Sequence, residues 1–218
     1  MELKEMRRLV LNPATSTSIL EEIFEQNRQE THAHAVWAGL AIHPRIPEAI
    51  RESTFPHLFW RDLLKVMDSP CVSDRAKQKA VQLLQRRMKR TTTGEWKAFA
   101  RVCSPKLFPW VMKQDEPGLF CVLLENPRMT ETTLVGLIHS PAMKPEFSVQ
   151  IVDNRVWGKR HSVRKALVYG KKSDLTTALV SLKGLTEPEL EEVVHTFSLR
   201  PLIQMSAEAL IRGKAGRE

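Results

Sequence analysis

Long apolar runs, cysteines and glycines are scarce in this chain of 218 residues, and these scarcities exclude several classes of protein. The longest apolar stretch, 35–42, is far shorter than a bilayer-spanning helix, so we expect no membrane insertion. Three widely spaced cysteines do not suggest a disulfide framework. The first residues are charged and lack the apolar core of a secretion signal. Together these features predict a cytoplasmic protein.

Motifs that carry catalytic or metal chemistry are also missing. The sequence has no C-x-x-C or H-E-x-x-H metal pattern, no G-x-S-x-G nucleophile turn and no glycine-rich phosphate loop. His32 and His34 are two residues apart and would face different sides of a helix, so we interpret them as surface or half-buried residues. The cysteines are interpreted as small core residues. We therefore expect no metal and no cofactor, although a catalytic triad assembled from distant residues would leave no such motif.

What the chain does contain is a proline marker that occurs six times, each time between two apolar stretches of helical period. Proline restricts the residue before it to extended conformations, so each marker predicts the end of a helix. The six markers are Asn12-Pro13, His43-Pro44, Ser69-Pro70, Ser104-Pro105, Asn126-Pro127 and Ser140-Pro141.

Between the markers, apolar residues recur at the i, i+3, i+4 spacing of one buried helix face. When the first and fifth markers are aligned, Leu20 matches Leu134 and Ile23 matches Leu137. Three residues after the proline comes a residue suited to starting a helix, and these residues are Ser16, Pro47, Ser73 and Thr130. The pattern predicts an all-α stack of about 12–14 short helices joined by tight turns.

We assign residues 1–212 to a single helical-repeat domain, followed by a flexible tail at 213–218. Residues 7–150 carry the proline markers, whereas residues 151–212 keep the helical period without them and are interpreted as degenerate capping repeats. In this last part a T-x-x-E capping box at Thr186 and Glu189 predicts a helix start.

The segments from Arg8 to Leu20 and from Leu123 to Leu134 resemble bacterial leucine-rich-repeat-variant units and, more loosely, HEAT-type repeats. The resemblance covers residues 7–150 and implies a right-handed α-solenoid, a fold that is usually used for binding. One type of leucine-rich-repeat-variant protein holds an iron–sulfur centre in a cysteine cluster. This chain lacks such a cluster, so no cofactor is carried over.

Positive charge is concentrated in two blocks, although the net charge of the chain is only +8. Residues 75–106 contain ten basic residues and one acidic residue, and residues 155–172 contain seven basic residues and no acidic residue. In the first block we expect a helix from Ser73 to Arg90, and in the second a helix from Lys159 to Tyr169. Each would bury an apolar face and leave most of its cations outside.

If both blocks lie on one side of the stack, they form a basic surface for an acidic protein or a nucleic-acid backbone. The alternative is that they are solvated helix faces balanced by acids elsewhere. Trp96 and Trp157 lie within the blocks and are candidates for stacking on a base, with core packing as the alternative. The predicted contact residues are Arg86, Arg87, Lys89, Arg90, Arg160, Arg164 and Lys165.

The favoured function is thus a non-enzymatic binding module or scaffold with an acidic partner and an unknown oligomeric state. One enzymatic alternative rests on a resemblance to bacterial alkylpurine DNA glycosylases, which use a HEAT-like stack with a basic face, tryptophans and an aspartate. Asp153, Trp157 and Arg160 stand at i, i+4 and i+7 and would line one helix face. Gly158 favours a break there, which would leave Asp153 at the end of a helix.

Overall fold

All regular structure in the described part of this chain is helical. The computed structural model describes residues 1–28, 33–116 and 118–215, and it describes side chains as far as Gly213. These ranges contain fifteen α-helices and two short 3-10 helices, and no strand. The all-α prediction is confirmed, with one helix more than the upper predicted number. The contacts divide the chain into two compact units, Met1–Trp96 and Lys97–Glu218.

The first unit contains six complete helices and the start of a seventh. The helices are α1 (Leu3–Leu11), α2 (Thr17–Asn27), α3 (His34–Ile42), α4 (Glu48–Thr54), α5 (Trp60–Asp68), α6 (Asp74–Met88) and α7 (Thr93–Ala100). A 3-10 turn at Phe55–His57 joins α4 to α5.

The second unit begins within α7 and continues with eight helices. They are α8 (Phe108–Met112), α9 (Leu119–Leu124), α10 (Glu131–Ile138), α11 (Pro145–Asp153), α12 (His161–Tyr169), α13 (Leu175–Leu182), α14 (Glu187–His195) and α15 (Pro201–Ala215). A 3-10 turn at Pro105–Leu107 precedes α8. The predicted tail at 213–218 begins inside α15, and residues 216–218 lie outside the described residues.

In each unit the most extensive packing joins helices that are adjacent or two apart along the chain. In the first unit α1 packs on α3, α3 on α5 and α4 on α6. In the second unit α9 packs on α11, α10 on α12, α11 on α13 and α13 on α15. Each helix therefore buries its apolar face mainly against close neighbours in sequence.

The proline turns end helices as predicted, and four of them share one hydrogen bond. The residue before proline accepts a hydrogen bond from the backbone N–H two residues later, at 3.0 Å for Asn12, 3.1 Å for His43, 3.3 Å for Ser69 and 2.8 Å for Asn126. An amide oxygen, an imidazole nitrogen and a hydroxyl thus close the same turn in the manner of an Asx turn. The recurring proline marker thus corresponds, at these four turns, to a recurring hydrogen bond.

The predicted helix-starting residues lie immediately before α2, α4, α6 and α10. Ser73 accepts a hydrogen bond from Ala76 N, and Thr130 accepts one from Thr133 N, both at 3.2 Å. The side chain of Ser16 makes no such bond, and Pro47 occupies the cap position rather than the first turn. The capping box of Thr186 and Glu189 at the start of α14 is confirmed.

The aligned apolar residues form the core of both units. Leu20, Ile23, Leu134 and Leu137 are all buried, as the helical spacing predicts. The core of the first unit also contains a cation that the pattern did not reveal. Arg51 is 2% exposed and donates to the carbonyls of Ala41 and His43, which ties α4 to the second proline turn.

Candidate anion-binding surface

The amphipathic pattern of α6 decides which of its cations face outward. Ala76, Ala80, Leu84 and Met88 recur every four residues and are fully buried, and Val81 is half-buried beside them. This confirms the predicted apolar face. Because one stripe of the helix is fixed against the core, the basic residues between these positions are held on the other side.

At the C-terminal end of α6, four of the predicted contact residues come together. Arg86, Arg87, Lys89 and Arg90 line a surface concavity of about 390 Å³. We call these four residues the α6 cluster. Cations at this end also complement the negative end of the helix dipole, which gives the positions a local structural reason.

Within the α6 cluster, Arg87 has a structural contact. Its Nη2 donates to the carbonyl of Pro56 at 2.6 Å and lies 3.4 Å from that of Phe55. Burial lowers the pKa of Arg87 from its usual value, as expected for a guanidinium partly withdrawn from water. Arg87 therefore fastens the 3-10 turn at Phe55–His57 to α6.

The other three members of the α6 cluster are exposed. In the described parts of the chain, no carboxylate lies within ion-pair distance of Arg86, Lys89 or Arg90. Two cations nearer the start of α6 differ, because Lys79 pairs with Glu52 and Arg75 lies 4.0 Å from the same carboxylate. Among the described residues, the cations of α6 without a carboxylate partner are thus most closely grouped at its C-terminal end.

The predicted contact residues of the second block are engaged within their own unit. Arg160 lies 3.9 Å from Glu131. Lys165 lies 2.9 Å from Glu192 and 3.5 Å from Glu189, and the hydrogen bond to Glu192 raises the pKa of Lys165. An incoming anion would therefore compete with carboxylates that already hold these cations.

Arg164 is held by backbone. Its Nε donates to the carbonyl of Gly158 at 2.8 Å, and its guanidinium lies against Gly184. A Cβ at position 184 would come within 2.4 Å of Arg164 Nη1. This arginine fills the space that glycine leaves and is half-buried, so it serves packing in this structure.

Glu189 is the centre of the polar contacts around α12. Burial alone would raise the pKa of Glu189, but hydrogen bonds with His161 and Thr186 outweigh burial and lower that pKa to about 2. The imidazole Nε2 of His161 lies 2.9 Å from the carboxylate. This carboxylate was noted in the sequence only as part of a capping box, and its cross-helix partners left no local signal.

The two tryptophans in the basic blocks differ in exposure. Trp96 is 4% exposed, so in this structure it offers no open ring face to a base. Trp157 is half-buried, and its Nε1 donates to the carbonyl of Leu124 at 2.9 Å. Packing is the role that these contacts support for both rings.

The expected helix face of Asp153, Trp157 and Arg160 does not form, because α11 ends at Asp153 and α12 begins at His161. Gly158 lies in the turn between them. A Cβ at this position would lie 2.0 Å from the carbonyl oxygen of Val152, so the backbone approach requires glycine. The helix face on which the glycosylase alternative depended is absent, and activity on alkylated bases stays a prediction.

Of the three cysteines, only Cys103 is buried, so their interpretation as core residues is wrong for Cys71 and Cys121, which are exposed. Across the described ranges, no group of three or more His, Cys, Asp or Glu side chains is arranged to hold a metal ion. His34 is half-buried, and His32 lies outside the described residues. None of the helices within those ranges combines the length and apolarity needed to cross a bilayer.

Comparisons with protein-family models, with curated proteins and with solved structures gave no match for this chain.

Proposed function

We propose that this protein is a non-enzymatic binding module whose α6 cluster engages an acidic partner, either a nucleic-acid backbone or an acidic protein. The observation that carries the proposal is the concavity lined by Arg86, Arg87, Lys89 and Arg90, three of which have no carboxylate partner among the described residues. Unpaired cations grouped around one concavity attract a polyanion strongly, because the charges act together.

We propose further that each unit is a short stack of the HEAT or leucine-rich-repeat-variant type, and thus a segment of α-solenoid. The packing of each helix on its near neighbours supports this. So do hydrogen bonds between turns about one repeat apart: His43 Nε2 lies 3.0 Å from the carbonyl of Asn12, and Lys172 donates to that of Pro141. A cytoplasmic setting is part of the proposal, since free thiols, two of them exposed, suit a reducing compartment.

The test is a charge reversal that spares the structural member of the cluster. Arg86→Glu/Lys89→Glu/Arg90→Glu removes the three exposed cations and leaves Arg87 on its carbonyl partners. We expect the affinity for a labelled nucleic-acid duplex at about 100 mM salt to fall at least about tenfold. Fluorescence anisotropy measures it, and heparin and polyglutamate serve as competitors that represent other polyanions.

The matched control reverses three exposed cations on α1, Lys4→Glu/Arg7→Glu/Arg8→Glu, and changes the net charge by the same amount. We expect the affinity of this control for the duplex to fall less than about threefold, since the effect of distant charges is screened over about 10 Å at this salt. Equal losses for both triple variants, or none for either, would show that the α6 cluster is not the binding site.

A further inference from the structure

The segment that Arg87 fastens to α6 carries an unusual group of exposed rings. After the 3-10 turn at Phe55–His57, the chain passes through Leu58 and Phe59 in extended conformation before α5 begins. Side chains alternate sides in extended chain. Leu58 is accordingly 1% exposed and anchored in the core, whereas Phe59 points out; His57, at the end of the 3-10 turn, is exposed as well.

Each of these two rings lies on a ring from α3. His57 stacks on Trp37 with the ring centroids 4.6 Å apart and 17° between the planes. Phe59 lies on His34, with the centroids 4.2 Å apart. Because His34 and Trp37 are three residues apart on one helix, the two pairs are offset by about 4.5 Å along its axis.

The outer sides of this arrangement are open. Phe59 is 63% exposed although it is a large apolar ring, and His57 is also exposed. The ring behind each one fixes its orientation, so a planar ligand would meet a surface that is already ordered. Two fixed ring surfaces about one helical turn apart suit the successive bases of an extended strand.

Positive charge lies on both sides of the segment that carries His57 and Phe59. On one side is the α6 cluster, joined to it through the hydrogen bond from Arg87 to Pro56. On the other side, Arg61 is exposed and its guanidinium lies 5.1 Å from the centre of the Trp60 ring. The nearby acid, Asp62, is buried and contacts Lys65 and His34.

We propose that the ligand of this surface is single-stranded nucleic acid, with the phosphates on the α6 cluster and unpaired bases stacked on Phe59 and His57. The inference rests on the proposed function, and it selects one partner from the acidic class. A duplex could still contact the cations, but its bases already stack on one another and do not present free faces to a protein ring. An acidic peptide would use the cations and leave the rings unused.

The experiment compares a single-stranded DNA of about 20 nucleotides, longer than the site of one small binding fold, with the duplex of the same sequence. We expect Phe59→Ala to weaken single-strand binding roughly five- to tenfold and to leave duplex binding within about twofold, since stacking acts only on exposed bases. Phe59→Tyr keeps the ring and should retain the wild-type affinity. Phe197→Ala is the matched control, because Phe197 is 97% exposed and lies in the other unit.

The outcomes separate this inference from the proposed function. If Arg86→Glu/Lys89→Glu/Arg90→Glu weakens binding of both strands and duplex while Phe59→Ala changes neither, the cationic surface stands and the stacking inference is overturned. The stacking inference is also overturned if Phe59→Ala weakens the binding of single strand and duplex equally. It is overturned as well if Phe197→Ala weakens single-strand binding as much as Phe59→Ala does. If polyglutamate displaces the single strand as well as unlabelled single strand does, the partner class is wrong.

Discussion

The end of α6 and the region around α12 are both rich in basic residues, yet they differ in what surrounds the charge. The concavity of about 390 Å³ at the end of α6 is lined by four cations. A second concavity, of about 350 Å³, lies beside Lys165, and its lining includes Glu192, which already pairs with that lysine. The comparison teaches that a run of basic residues indicates a binding surface only where the fold supplies no partner for it.

The largest effect that we expect is on stability, and it comes from Gly158 in the second block, whose turn holds Arg164. Gly158→Ala places a Cβ 2.0 Å from the carbonyl oxygen of Val152, so the turn that also accepts the hydrogen bond from Arg164 must move. We expect a loss of about 3 kcal/mol in the free energy of unfolding, measured by urea denaturation.

Gly136→Ala is the control for this prediction, because a Cβ there meets no atom within 4 Å. It lies within α10, where alanine should instead stabilise the protein by about 0.5–1 kcal/mol. If both substitutions have the same small effect, the second block does not depend on this backbone contact.

A smaller effect is expected from the pH dependence of Glu189. Its pKa lies at about 2 in the folded protein, against an ordinary value of 4.5, so the folded state favours the ionised form. The stabilisation is therefore complete above pH 4.5 and is lost as the pH falls towards 2. Because the carboxylate is partly solvated, we expect it to contribute about 2 kcal/mol at neutral pH.

Thermal unfolding between pH 2 and pH 6 measures this contribution, since that window brackets the folded and unfolded values. Glu189→Gln should lower the unfolding temperature at neutral pH and reduce its dependence on pH between pH 2 and pH 4.5. Glu191→Gln makes the same charge change at an exposed position of α14 and should leave the profile unchanged. A flat wild-type profile over this range would contradict the described contacts of Glu189.

The smallest effect on polyanion binding is expected when the three predicted contact residues of the second block are neutralised. Arg160→Gln/Arg164→Gln/Lys165→Gln should change the affinity by less than about twofold, because these cations are already engaged within their unit. The matched variant Arg86→Gln/Lys89→Gln/Arg90→Gln should lower the slope of log affinity against log salt by about 3, one for each lost phosphate contact. If the two variants lose affinity equally, the comparison fails.

Much of the fold was predictable because its signals are local. A proline affects the residue before it, and Ser73 or Thr130 caps the helix that begins at the next residue, so a short window of sequence contains both cause and effect. The buried spacing of Leu20 and Ile23 is equally local. The helix ends before the proline turns and the buried faces were therefore correctly predicted, whereas α6 and α12 are two or three residues shorter than the predicted helices.

For several cations the state was not predictable, because the partner comes from a distant part of the chain. Arg87 and Pro56 are 31 residues apart, and Lys165 and Glu192 are 27 apart. Arg51 is buried and donates to the carbonyls of Ala41 and His43, ten and eight residues away, as well as to Glu48 three residues before it. The sequence grouped Arg86, Arg87, Arg164 and Lys165 as equivalent, and only their contacts separate them.

The turn closed by Asn12, His43, Ser69 or Asn126 has one consequence for how such a chain can vary. Because the side-chain acceptor of this turn is an amide oxygen, an imidazole nitrogen or a hydroxyl oxygen, the identity of that residue can change while the geometry of the turn persists. One substitution at this residue would then change the strength of the turn and leave the two flanking helices intact. A stack of helices joined by such turns can therefore vary in sequence at each turn separately.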